Sequence, residues 1–290
     1  MTISKPQQGN RKDPIPLAER IRGAKSPILD GRMTLLIVGL GLDIGDISSK
    51  GLAALKTADE ILIETYTLPI PEGYAEFIKK ETGKEARMIS RKDMEDEVKE
   101  TVGHALNSTI AILVSGDPLV ATTHHIAMET ARVLGVEYTV YHAPSIFSAA
   151  IGESGLDLYK FGPTTTIPFW SAKYKPTSFL DVIKRNYDNN QHTLVLLDVD
   201  PRAGRTMSAR DAIELLGKAE EKKRHNVINK KRRILVLCEV GTAAQDIMYI
   251  EADVSHMGRM LDRTEGKRTS LIIPAEMSFA EERLVSAFSL

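Results

Sequence analysis

The sequence predicts an α/β protein in two units, and three observations lead there. Apolar runs of strand length alternate with helix-length amphipathic stretches from Thr34 to His142, the pattern of a parallel sheet with right-handed crossovers. Ile110 to Val114 is apolar without a break, as a strand covered on both faces requires. The stretch Gly152 to Pro163 then reads as a hinge to a second unit with strands and helices of its own.

Bulk properties bound the function classes. A chain of 290 residues has room for two domains. Hydrophobic residues make up 42% and charged residues 27%, as in ordinary globular proteins. A formal net charge of −1 gives no argument for a nucleic-acid binder, and no direct nucleic-acid contact is expected. No apolar run approaches the ~18 residues of a membrane span, and the N-terminus lacks the apolar core of a signal peptide. The single cysteine, Cys238, has no partner for an internal disulfide, which fits a reducing, cytoplasmic setting.

Residues 1–32 are poor in large apolar side chains and rich in Pro, Gln, Lys and Arg, so they read as a flexible N-terminal extension. A first domain follows over 33–150 and a second over 151–290. Thr34 to Val38 is the first strand, and Gly39-Leu40-Gly41-Leu42-Asp43-Ile44-Gly45 the loop after it. Ser48 or Ser49 caps a helix over Lys50 to Lys56, with Leu52 and Leu55 facing in. Glu60 to Glu64 is a strand, after which Pro69 and Pro71 break the chain. Tyr74 to Lys80 is helical and Ala86 to Ile89 a short strand. Arg91 to Leu106 is expected as one charged amphipathic helix with Met94, Val98, Val102 and Leu106 inward.

Ile110 to Val114 is stopped by Ser115-Gly116-Asp117-Pro118, because Gly allows a tight turn and Pro cannot donate to a ladder. A helix over Thr123 to Leu134 and a strand over Glu137 to His142 come next. His142-Ala143-Pro144-Ser145-Ile146 ends that strand and leads into a small-residue helix. In the second unit, strands are expected at Thr164 to Pro168, His192 to Val199, Ile234 to Val240 and Ser270 to Ile273. Helices are expected at Ser178 to Asn186, Ser208 to Lys223, Asp246 to Met260 and Ala280 to Phe288. The inward residues of the second of these are Ala212, Leu215, Leu216 and Ala219.

Three strand-end loops, at Gly41, Asp117 and His142, share one rim, where open α/β sheets bind small molecules. Gly39-x-Gly41 with Glu64 on the next strand invites a dinucleotide reading, but Gly45 stands one position late for G-x-G-x-x-G. Asp43 also puts a negative charge where a pyrophosphate would dock, which favours a ligand with adenosine and an amino acid but no phosphate. His124 and His125 are adjacent and diverge on a helix, and the other histidines lack ligand spacing, so no metal is expected. Residues 218 to 233 hold eight Lys or Arg against two Glu: a solvated surface, or a docking face for an acidic macromolecule. The aromatic cluster Tyr159, Phe161, Phe169, Trp170 and Tyr174 is core, or in part a pocket for a cationic group.

Six blocks in order resemble the diphthine synthase family: V-G-L-G-L at 38–42, G-D-P-L-V-A-T-T-H at 116–124, H-A-P-S-I at 142–146, L-Y-K-F-G at 158–162, P-T-S-F-L-D-V-I-K at 176–184 and H-T-L-V-L-L-D at 192–198. The resemblance runs from Met33 to about Ile273 and leaves residues 1–32 outside it. It implies two α/β domains, an N-terminal parallel sheet with helices on both faces and a C-terminal mixed sheet, with the cofactor in the cleft between them. It implies an S-adenosylmethionine-dependent methyltransferase, active as a homodimer, that methylates the amino nitrogen of a 3-amino-3-carboxypropyl-histidine of translation elongation factor 2. The cofactor positions carry over onto Leu42, Asp117, Val120, Ser145, Ile146, Leu197, Val240 and Thr269. Thr269 stands where the family usually has a histidine, and Glu239 where it usually has an arginine. A tetrapyrrole methyltransferase, or a non-catalytic module on the translation factor, are the competing readings. Binding of a precobalamin-like ligand would favour the first, and failure to bind S-adenosylmethionine the second.

Overall fold

The computed structural model describes residues 33–68, 70, 73–200, 203–253 and 261–289. The extension at 1–32, Pro69 and Pro71 lie outside the described residues. The first sheet is built from β1 (Thr34–Gly39), β2 (Glu60–Glu64), β3 (Ala86–Ile89), β4 (Ile110–Val114) and β5 (Glu137–Tyr141). Its order is β3-β2-β4-β1-β5, and every pairing is parallel.

The apolar runs are continuous because both faces are covered. Leu35 and Ile37 of β1 join Ile110, Ile112 and Val114 of β4 in one cluster, against Met94, Val98, Val102, Ala127 and Ala131. The alternate residues Leu36 and Val38 pack with Ala111 and Leu113 against Ala54, Leu55, Tyr74 and Ile78 on the other face. Four helices supply all of these partners but Met94: α1 (Ser49–Leu55, capped by the Ser48 side chain), α2 (Tyr74–Thr82), α3 (Val98–Gly103) and α4 (His125–Leu134). Met94 lies in the turn before α3.

The second sheet joins β6 (Thr165–Ile167), β7 (Thr193–Leu197), β10 (Arg233–Cys238), β11 (Asp246–Glu251) and β12 (Thr269–Ile273) in the order β11-β10-β12-β7-β6. Only β6 and β7 run parallel there, so the sheet is mixed as the sequence suggests. A small hairpin, β8 (Val199–Asp200) with β9 (Arg205–Thr206), stands apart. One face of this sheet packs on α6 (Ser178–Asp188) and α7 (Ala209–Lys223), through Phe179, Leu180, Ile183, Leu215 and Leu216. The other packs on α5 (Ile146–Glu153) and α8 (Phe279–Val285), through Ala150, Ile151 and Val285. Ser208 caps α7 with a reciprocal Asp211 contact, and Ser278 and Glu281 do the same for α8.

Several expectations are corrected. Arg91 to Leu106 is not one helix: a π-turn over Lys92–Asp96 and a 3₁₀ turn over His104–Leu106 flank α3. The wide first turn lets the Thr101 hydroxyl donate to the Asp93 carbonyl at 2.8 Å. The tight 3₁₀ turn at the end changes the phase, so Ala105, three residues after Val102, is buried and Leu106 exposed. Asp246 to Glu251 is a strand rather than a helix, paired antiparallel with β10. Its apolar centre Ile247-Met248-Tyr249-Ile250 is packed on both faces, so it lacks the period-2 polarity that would mark it; residues 254–260 lie outside the described residues. The strand expected over His192 to Val199 breaks at Asp198, whose carboxylate accepts from Phe169 N (2.8 Å) and Val199 N (3.0 Å). The terminal helix ends at Val285 and tightens into a 3₁₀ turn. Tyr159 and Tyr174 are exposed, so the aromatic cluster is not all core.

A buried polar knot ties Asp157, Lys160 and His192 to α8. Glu281 accepts from Asp157 N (3.0 Å), Lys160 Nζ (2.9 Å) and His192 Nε2 (2.9 Å). Burial alone would raise its carboxyl, but these bonds and that from Ser278 N hold it well below the usual range.

Candidate active site

The loop after β1 is pinned by its own side chains. The Asp46 carboxylate accepts from Leu42 N (2.9 Å) and Asp43 N (3.0 Å), and Asp43 accepts from Ile44 N (2.8 Å). The Tyr74 hydroxyl donates to the Leu40 carbonyl and to Asp43 O at 3.2 Å. These amides are therefore consumed, and α1 starts beyond Ser48, which removes the phosphate cradle that a dinucleotide needs. Glu64 likewise pins the turn after β2, where its carboxylate accepts from the amides of Tyr66 and Thr67.

The loops after β1 and β4 are stitched to each other. Gly41 and Gly116 exchange backbone hydrogen bonds of 3.2 and 2.8 Å. Gly116, at φ 69°, turns the chain so that Asp117 is buried behind it. The Asp117 carboxylate accepts from Leu119 N (3.0 Å) and meets His142 Nδ1 at 2.7 Å, with Ala143 N at 3.4 Å. Asp117 thus joins the strand-end loops of β4 and β5, with His142 as its partner.

From the second sheet, Arg268 reaches across. Its guanidinium pairs with Glu239 (2.6 and 2.9 Å), and Nη1 donates to the Leu42 carbonyl at 2.8 Å. The sequence shows Glu239 in the family's arginine position; the structure puts a positive charge beside it on Arg268.

These elements enclose a cavity of about 320 Å³. All eight sequence-expected positions (Leu42, Asp117, Val120, Ser145, Ile146, Leu197, Val240 and Thr269) line it. Leu42, Val120, Ile146, Leu197 and Val240 give it an apolar wall. Ser145 caps α5. Thr269 opens β12 and bonds the Lys267 carbonyl at 3.2 Å. Ala121 (φ 54°) and Glu239 (φ 47°) hold left-handed backbone in the wall, a conformation non-glycine residues adopt at a cost. The Ser115 hydroxyl is buried in the wall without a hydrogen-bond partner among the described residues, ready for a ligand's polar atom.

Sequence reasoning missed Tyr66, Arg91, Ser115, Asp198 and Arg268 as lining residues. No spacing signal marks them, since each reaches the cavity from a different element. Behind the wall, the Thr122 hydroxyl bonds His124 Nδ1, and His124 Nε2 lies 3.7 Å from Glu64 Oε2. Burial pushes the imidazole down to about 4 and raises the Glu64 carboxyl.

The basic segment is largely occupied locally. Lys222 lies 4.4 Å from the Trp170 ring, Lys223 pairs with Asp181 at 2.9 Å, and Arg232 and Arg233 stack on Tyr187 and Tyr249.

Comparisons with known proteins follow the same line. Residues 34–253 match the family Tetrapyrrole (Corrin/Porphyrin) Methylases. A diphthine synthase of Methanococcus aeolicus is 37% identical over 251 residues, 86% of this chain and 95% of that relative. One of Methanothermobacter thermautotrophicus is 36% identical over 249 residues, 85% of this chain and 92% of that relative. A crystal structure from Entamoeba histolytica, 32% identical, superposes with a TM-score of 0.77 over 89% of this chain and 99% of that one. A crystal structure of a diphthine synthase, 28% identical, gives 0.75 over 88% and 96%.

Proposed function

This chain belongs to the tetrapyrrole methylase family and, within it, to the diphthine synthases, and we propose that it transfers methyl groups from S-adenosylmethionine to the amino nitrogen of the 3-amino-3-carboxypropyl-histidine of translation elongation factor 2. The observation that supports this is a cavity in which strand-end loops of the parallel sheet meet β7, β10 and β12 of the mixed sheet.

The residues fit the cofactor. The apolar wall suits an adenosine, the Ser115 hydroxyl awaits a polar partner, and the consumed amides of the first loop leave no phosphate site. Leu42, Asp117, Val120, Ser145, Ile146, Leu197, Val240 and Thr269 would hold it. Bound S-adenosylmethionine supplies a methyl group already activated by its sulfonium. The protein's part is to orient the substrate amine, exclude water and take up the proton that the amine must lose before each attack, and orientation alone is worth several kcal/mol. Among the described residues no helix is long and apolar enough to cross a membrane. We place the enzyme in the cytoplasm, as a homodimer of two-domain chains divided near residue 150.

Asp117→Ala is expected to weaken S-adenosylmethionine binding roughly ten-fold, the scale of one charge-assisted hydrogen bond, measured by calorimetry. Unchanged affinity with lost turnover would assign Asp117 to proton transfer instead. The reaction itself is tested by mixing the purified chain with S-adenosylmethionine and elongation factor 2 bearing the unmethylated intermediate. Mass spectrometry should show successive methyl additions on the modified histidine peptide. Cofactor binding with no mass change would remove the substrate assignment.

A further inference from the structure

A second chamber of about 560 Å³ adjoins the cavity, lined by Tyr66, Arg91, Phe169, Asp198, Val199, Asp200 and Ala203. It shares Tyr66, Arg91, Asp198 and Val199 with the inner cavity, so the two are continuous. Its charges are not balanced internally. Arg91 meets Glu95 only through Nε at 3.3 Å, and among the described residues its terminal nitrogens have no hydrogen-bond partner. Asp198 is fixed by the amides of Phe169 and Val199 and has no cation against it among the described residues. Asp200, by contrast, pairs with Arg205 at 3.5 Å. One fixed carboxylate and one guanidinium with unused terminal donors therefore line a shared space, where Arg91 lies 5.5 Å from the Tyr66 ring and Arg205 covers the Phe169 ring at 4.3 Å.

We propose that this outer chamber reads both charges of an α-amino-acid head group, Arg91 taking its carboxylate and Asp198 its amino nitrogen. The proposal rests on the function proposed above, whose substrate carries that head group. A guanidinium matches a carboxylate with two parallel N–H donors. Asp198 lies in the wall common to both chambers, where the amine must sit to reach the methyl donor. Each methyl added removes an N–H, so a site relying on hydrogen bonds from the amine would lose its hold with every turnover. A fixed carboxylate attracts the protonated or methylated nitrogen by charge, whatever the number of methyl groups. The chamber thus suits every stage of a repeated methylation.

The test uses the full chain and a synthetic histidine peptide bearing the aminocarboxypropyl group, against the same peptide with that carboxylate amidated. Calorimetry should show roughly ten-fold tighter binding of the free carboxylate. That preference should vanish in Arg91→Gln and return in part in Arg91→Lys. Asp198→Asn should weaken both peptides equally, while the Arg91 variants change only the preference between them. Equal wild-type affinity for the two peptides, or no binding of either, overturns the proposal, as does a carboxylate preference that survives in Arg91→Gln. An intact carboxylate preference without turnover of elongation factor 2 would instead overturn the proposed protein substrate.

Discussion

Gly39→Ala is expected to destabilise the fold by about 1–3 kcal/mol, as overpacking does, and to weaken S-adenosylmethionine binding roughly ten-fold or more. A Cβ at residue 39 would lie 2.7 Å from the Gly116 carbonyl oxygen, 2.9 Å from Ala143 Cβ and 2.9 Å from Pro118 Cδ. None of the three is the end of a flexible side chain. The Gly116 carbonyl would have to move, and it carries the bond to Gly41 N that stitches the two loops. Asp117 follows directly in the chain, so the displacement reaches the cavity wall. Gly217→Ala is the control of opposite sign. A Cβ there meets nothing within 4 Å in the interior of α7, and the change should stabilise by about 0.4–1 kcal/mol. Thermal melts and calorimetry check both; wild-type cofactor affinity in Gly39→Ala would sink the idea that this contact shapes the cavity.

The second large effect is on pH dependence. His124 is fully buried, and burial lowers its pKa from 6.5 to about 4. A depressed histidine binds its proton more readily in the unfolded chain. Its contribution is therefore fully present above pH 6.5 and is lost as the pH falls from there towards 4. The shift corresponds to about 3 kcal/mol over that window. His192, also pushed down by burial despite its Glu281 partner, adds in the same direction. His124→Gln should therefore flatten the fall of stability between neutral and mildly acid pH by about one proton's slope, read from urea unfolding at several pH values. An unchanged slope would mean that the imidazole protonates without penalty. Glu64 carries the opposite sign: burial raises its carboxyl, so its cost appears as the pH rises through the folded pKa.

The parallel sheet was legible because burial on both faces writes itself as an unbroken apolar run. Glu60–Glu64 and Ile110–Val114 sit where the sequence puts them. The same feature hid β11: an apolar run with no polarity period fits a buried helix as well as a strand, and only pairing with β10 decides between them. The break in the Arg91 to Leu106 stretch was not legible either, since the π-turn keeps Met94, Val98 and Val102 inward. At the site, the resemblance supplied residues that the structure gathers into one cavity. It said nothing of the charges around them. Arg268 with Glu239, and Asp198 with the amides of Phe169 and Val199, are pairings between distant or loop-borne groups, set by the packing of the lobes rather than by spacing along the chain.

The strand order has a kinetic consequence. β1, among the first described residues, lies between β4 and β5, and β12, the last strand made, lies between β10 and β7. Neither sheet can close until its latest central neighbour has left the ribosome. Until then β7 and β10 expose unpaired edges, and the nascent chain depends on being shielded there. Folding should accordingly be slow for the chain's size, limited by these distant pairings. A chain cut before Thr269 should aggregate rather than keep half a fold.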